Sequence, residues 1–143
     1  MKFYLLGEET KIDIDVLSRN HPNCTDFWDG NWVHSKVNIE IPGYRVHFNA
    51  DLRTDEIRDF LNELKEMNKH LKGKATLSNL DSFLHFECVM NKLGGVSWSI
   101  ETCYPAGYGA VLNFEFEADQ SYLQNLITEL EDILTAFPVI GRP

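Results

Sequence analysis

One pattern occurs twice in this chain and closes each time on an amphipathic helix, and it is the feature that most limits the fold. The first copy runs Ile41-Pro42-Gly43-Tyr44, then an alternating strand to Leu52, then a helix over about 54–71. The second runs Tyr104-Pro105-Ala106-Gly107-Tyr108, then an alternating strand to Ala118, then a helix over about 119–137. Sliding the sequence by 66 residues lays Phe60, Leu61, Glu63 and Leu64 on Leu126, Ile127, Glu129 and Leu130. The expectation is an internal pseudo-repeat, 1–72 and 73–138, inside a single domain spanning 1–143.

The segments between fill in strands. Ile12, Ile14 and Val16 alternate with Asp13 and Asp15, the mark of a half-buried strand with an acidic outer face. Residues 18–31 lose the pattern and read as a long loop carrying unusual aromatics. Val33, Val37, Ile39 and Ile41 alternate with His34, Lys36, Asn38 and Glu40. After Pro42-Gly43, suited to a type II turn, Tyr44, Val46, Phe48, Ala50 and Leu52 alternate with Arg45, His47, Asn49, Asp51 and Arg53. Pairing Ile41 with Tyr44 sets Glu40 beside Arg45 and His34 beside Asp51, contacts of about 0.2–1 kcal/mol each.

Thr54 is the expected N-cap of the first helix, whose stripe is Ile57, Phe60, Leu61, Leu64, Met67 and Leu71, with Gly73 ending it. Strands are expected over 74–80, 83–91 and 95–103, with Leu84, Phe86, Cys88 and Met90 on one face, and Val96, Trp98 and Ile100 on another. A fourth follows the glycine-rich stretch 105–109, with Leu112, Phe114 and Phe116 against Asn113, Glu115 and Glu117. Asp119 is the expected cap of the closing helix, whose stripe runs from Tyr122 and Leu123 through Leu126, Ile127, Leu130 and Ile133 to Leu134 and Phe137, ahead of Pro138. Adjacent strands followed by a helix, twice, give the α+β class. The expected architecture is a largely antiparallel sheet of about eight strands in two ββββα halves, the two helices packed on one face and the other face partly solvated.

A net charge of −9, from 22 acidic and 13 basic side chains, leaves no basic stripe for nucleic acid or an anionic membrane. It suits solubility, or steering toward a basic partner. The apolar run after Met1 is short and meets Glu8 and Glu9 at once, so it reads as a strand; the expected location is the cytoplasm. Cys24, Cys88 and Cys103 are odd in number and widely spaced, which suits a reducing compartment.

Motifs for chemistry are sparse. His21 and Cys24 have the spacing of a zinc pair but no second pair to complete it, and His34, His47 and His85 fall on polar strand faces. No cofactor is expected. Ser97 and Ser99 flank Trp98 on an ordinary strand without a G-x-S-x-G elbow, and 105–109 lacks the lysine and helix of a phosphate loop. Glu101, Glu115 and Glu117, with Glu87 nearby, share the wet face of adjacent strands. Such carboxylates admit three readings: a glycosidase-like pair if one is buried, a charged face that opposes aggregation, or a surface for a protein partner.

Asp26-Phe27-Trp28-Asp29-Gly30-Asn31-Trp32 is the most distinctive string, with two tryptophans in five residues flanked by acids. It reads equally as an interface hot spot or as a loop pinned to the sheet. This string, the segment Leu52-Arg53-Thr54, and Phe114-Glu115-Phe116-Glu117-Ala118-Asp119-Gln120-Ser121-Tyr122-Leu123 together resemble the WapI-like family of small bacterial proteins, over about 26–137. The resemblance implies an immunity protein that binds and inhibits the C-terminal toxin of a WapA-type protein, a nuclease acting on transfer RNA in the known case. It implies no catalytic residues. A basic toxin domain is then the expected partner, met through Asp26, Trp28, Asp29, Trp32, Glu101, Glu115 and Glu117. The alternative is a small-ligand or general protein-binding module with an apolar cleft between sheet and loop.

Overall fold

Alternation of apolar and polar residues leaves each strand one dry face and one wet face, and the sheets close so that the dry faces meet. The computed structural model describes all 143 residues. In chain order the elements are β1 (Lys2–Gly7), β2 (Thr10–Arg19), α1 (Phe27–Gly30), β3 (Trp32–Ile41), β4 (Tyr44–Arg53), α2 (Thr54–His70), β5 (Lys74–Ser78), β6 (Leu84–Met90), β7 (Gly95–Tyr104), β8 (Ala110–Asp119) and α3 (Ser121–Ala136). The α+β class and the eight antiparallel strands are as expected. They form two four-stranded meanders, β1-β2-β3-β4 and β5-β6-β7-β8, because α2 carries the chain off the first sheet before the fifth strand begins.

The β3–β4 hairpin has the anticipated register: Ile41 faces Tyr44, Glu40 faces Arg45 and His34 faces Asp51. Gly43 supplies the positive φ of the turn, at 83°. A contiguous cluster of 30 buried residues draws on both sheets and on the stripes of α2 and α3. Ile57, Phe60, Leu61, Leu64 and Met67 are buried from α2, and Leu123, Leu126, Ile127, Leu130 and Ile133 from α3.

The ends differ from expectation. Arg53, not Thr54, is the N-cap of α2, and Gln120, not Asp119, that of α3. Asp119 ends β8, where its Oδ1 accepts from the Ser121 N–H at 2.8 Å. Leu71, at φ 56°, makes the left-handed C-cap assigned above to Gly73 and is exposed, as is Tyr122. The stretch 18–31 is shorter as a loop than it reads: β2 continues to Arg19, and α1 occupies its far end.

Each helix closes the leading edge of a sheet. α2 packs on β5, α3 on β1, and the helices on each other. Glu63 Oε1 accepts the Thr76 N–H of β5 at 3.1 Å, and Glu129 Oε1 accepts the Tyr4 N–H of β1 at 3.1 Å. The two glutamates that the 66-residue slide superposes thus make the same contact on different sheets. Lys65 and Glu131, 3.4 Å apart, bridge the helices.

The two wet faces differ in charge. On the first sheet, Lys2, Lys11, Lys36 and Arg45 interleave with Asp13, Asp15, Glu40 and Asp51. On the second, Glu87, Glu101, Glu115 and Glu117 share the face with Lys74 as its one lysine.

Cys88 lies at the centre of the core, and burial pushes its thiol up to about 12. It should therefore resist alkylation at about pH 8 until the protein unfolds, while the partly exposed Cys24 and Cys103 react in the native state. Peptide mass spectrometry with and without denaturant checks this; native labelling of Cys88 would contradict the packing.

Candidate functional site

The hairpin register sets Trp32 opposite Arg53 on the wet side of the first sheet, at its end. An arginine there would ordinarily extend into solvent, yet Arg53 is 2% exposed because α1 folds back over it. Asp26 starts that turn, its Oδ2 accepting the Asp29 N–H at 3.0 Å. The guanidinium donates to Trp28 O at 2.6 Å, to Phe27 O at 2.9 Å and to Asp55 Oδ1 at 2.9 Å. It also lies over the rings of Phe27, Trp32 and Trp28, at 5.0, 5.1 and 5.5 Å from their centroids. Asn31, fully buried, donates to Phe27 O at 3.0 Å and accepts from the Thr54 hydroxyl at 3.0 Å.

Trp28 is held by this arrangement and is nevertheless 59% exposed. Its ring meets Phe27 edge-on, at 5.0 Å and 86°. Asp26 and Asp29 are exposed on either side, and Trp32 is half-buried. The structure therefore brings Asp26, Trp28 and Asp29 together on one turn, with Trp32 beside it at the start of β3, where Arg53 meets both tryptophan rings.

Glu101, Glu115 and Glu117 form a separate group on the second sheet. Glu115 on β8 faces Ser99 on β7, which faces Glu87 on β6; Glu101 lies between Asn113 and His85 in the next row. Glu117 accepts from Ser97 Oγ at 2.8 Å and from Asn91 Nδ2 at 3.4 Å. None of these four acids makes an ion pair. A hollow of about 370 Å³ lies between Glu101 and Glu115, lined also by His85, Ser99 and Asn113. No hydrogen bond or ion pair joins this group to the Trp28 turn.

With that geometry in place, a family model for WapI-like immunity proteins matches residues 4–138. The chain belongs to the WapI-like immunity protein family. Membership suggests a toxin-immunity role, a non-catalytic inhibitor and a protein toxin as partner. Among solved structures, the plant transcriptional regulator PBF-2 is similar at a TM-score of 0.58 and 6% identity, over 96% of this chain and 81% of that one. Trypanosomal MRP1/MRP2 gives a TM-score of 0.49 and 14% identity, over 96% of this chain and 86% of that one. At such identity the PBF-2 likeness concerns the fold alone. No helix is long and apolar enough to cross a membrane.

The acids whose pKa burial raises lie elsewhere and serve the backbone. Glu129 is one, held at β1. Glu56 is the other: it accepts from Leu80 N at 2.6 Å, Arg53 N at 2.9 Å and Asn79 Nδ2 at 3.1 Å, and desolvation still outweighs these bonds and raises it. Sequence reasoning missed Arg53 and Asn31. The signal for Arg53 was present in the register, which places it opposite Trp32; Asn31 carried none.

Two outcomes are expected. Arg53→Ala strips Asp55 and two carbonyls of their donor and should cost about 3–5 kcal/mol in urea unfolding, with Arg53→Lys recovering only part. Equal stability of all three proteins would contradict the hub. Because Glu56 has a raised pKa when folded, its linkage contribution is present below the unfolded value and is lost as pH rises through the folded one. The stability of Glu56→Gln relative to wild type should therefore improve as pH rises from about 4.5 through the raised folded value. A flat or falling difference in denaturation midpoints would contradict the assignment.

Proposed function

We propose that this chain is a cytoplasmic immunity protein that binds a cognate WapA-type toxin domain stoichiometrically, without catalysis or cofactor, and covers a basic nuclease site. Family membership carries the reading. The unpaired acids on the wet face of β6, β7 and β8 support it, since their field would attract a lysine- and arginine-rich surface. Trp28 and Trp32 would anchor, and Asp26, Asp29, Glu101, Glu115 and Glu117 would complement charge. A tryptophan ordered before binding costs little entropy to dock, which is what an interface anchor requires.

Co-expression with a C-terminal toxin domain of a WapA-type protein tests the role. Rescue of growth together with co-elution on size exclusion is expected. Death of the cells with no co-elution would sink the immunity reading for that pair. Reversing charge with Glu115→Lys and Glu117→Lys should slow association about tenfold at low salt, with the difference shrinking as salt rises. Unchanged association kinetics would remove that face from the contact.

A further inference from the structure

The chain beyond α3 folds back onto the turn that carries Trp28. Pro138 O accepts from Arg19 Nη2, while Arg19 Nη1 donates to Gly30 O at 2.7 Å. Two residues on, the Ile140 N–H donates to Asn31 Oδ1 at 2.9 Å, and Ile140 O accepts from Asn31 Nδ2 at 2.9 Å. The Asn31 amide therefore pairs with the Ile140 backbone as a neighbouring strand would, using one donor and one acceptor. Its other bonds run to Phe27 O and to Thr54 at the start of α2. One buried side chain thus ties together the C-terminal segment, the α1 turn and the first helical residue of α2.

The packing around it admits no added side chain. A Cβ on Gly30 would lie 2.5 Å from Ile140 Cδ1. Gly141, at φ 70°, has Phe27 N only 2.6 Å from where its Cβ would be. The main core does not depend on the segment: the 30-residue cluster ends at Ile133, with Phe137 packed against it. The match to the family also stops at residue 138, so the Ile140 contact lies outside it.

We propose that residues 138–141 form a latch, and that Asn31, by clasping Ile140, is a positioning residue that holds the Trp28 turn in the shape in which it meets the toxin. The partner half of this proposal rests on the immunity reading above; the latch half rests on the contacts alone. Arg53 holds the turn from beneath, and the Asn31–Ile140 pair holds it from the side. A turn freed on that side would have to be ordered again on binding, and affinity would fall by that entropy.

The test uses full-length Gly141→Val and Ile140→Asp, with Ile140→Val as the conservative control. Amide exchange of residues 26–32, thermal unfolding, and calorimetric titration with the same WapA-type toxin domain are the readouts. The first two variants should unfold within about 2 °C of wild type. Their amides at 27–31 should exchange at least about tenfold faster, and their Kd should rise about tenfold. Ile140→Val should match wild type in all three. Unchanged exchange in both disruptive variants would overturn the latch, and so would a large drop in unfolding temperature, which would make the segment a general stability element. Faster exchange with wild-type affinity would overturn the positioning role while leaving the immunity reading intact. A wild-type protein that fails to bind would overturn that reading and the partner half with it, and exchange would still decide the latch.

Discussion

A guanidinium removed from water must have its charge and donors answered locally, and the end of the first sheet is built around that demand at Arg53. The strand register delivers Arg53 to the wet face, where neither the core nor α2 can cover it. Asp55 from the first turn of α2 supplies the countercharge, the carbonyls of Phe27 and Trp28 take two of its donors, and three aromatic rings shield it. The shape of α1 follows: a helix of four residues has no stability of its own and exists here because both of those carbonyls are engaged. A buried charge of this kind contributes little net stability; its effect is that few other arrangements of the turn can satisfy it.

Two surfaces of different character result. The Trp28 turn is small, rigid and amphipathic, an exposed ring over a fixed base. The face of the second sheet is broad and negative, with all four of its acids, Glu87, Glu101, Glu115 and Glu117, outside any ion pair. The corresponding face of the first sheet balances each sign with the other, which leaves the molecule electrostatically one-sided. In a binding protein such surfaces divide the work between encounter and residence, since long-range charge governs the rate of approach and buried aromatics govern the rate of escape.

The strand faces, the hairpin register and the helix stripes were readable in the sequence because they follow from periods of 2.0 and 3.6 residues. Glu40 opposite Arg45 needed only the turn Pro42-Gly43 and a count outward. What escaped reading depends on contacts distant in sequence. Eight strands do not reveal whether they make one sheet or two, since that depends on where α2 lets the chain return. The turn 27–30 is too short to show a period, and its partners are Arg53 and Ile140, far along the chain. Thr54 has the residue type of a cap, but its hydroxyl is directed to Asn31 and cannot serve its own helix. Leu71 and Tyr122 continue the apolar stripes past the points where α2 and α3 leave the core. For Trp28 the sequence leaves an interface hot spot and a loop pinned to the sheet equal; the pin is present, since its backbone is bound to Arg53, and its ring is open to solvent. Asp26 and Asp29 flank it on the same turn, whereas Glu101, Glu115 and Glu117 lie on the other sheet, a separation that alternation within one strand cannot reveal.

The central claim is inhibition by one-to-one binding, and titrating the toxin's activity with increasing amounts of this chain tests it most directly. Binding predicts a linear loss of activity that ends at equimolar protein, with both chains recovered intact. Loss of activity at a small fraction of equimolar, with altered toxin, would mean that the chain acts catalytically, and activity undiminished at excess would mean that this toxin is not its partner.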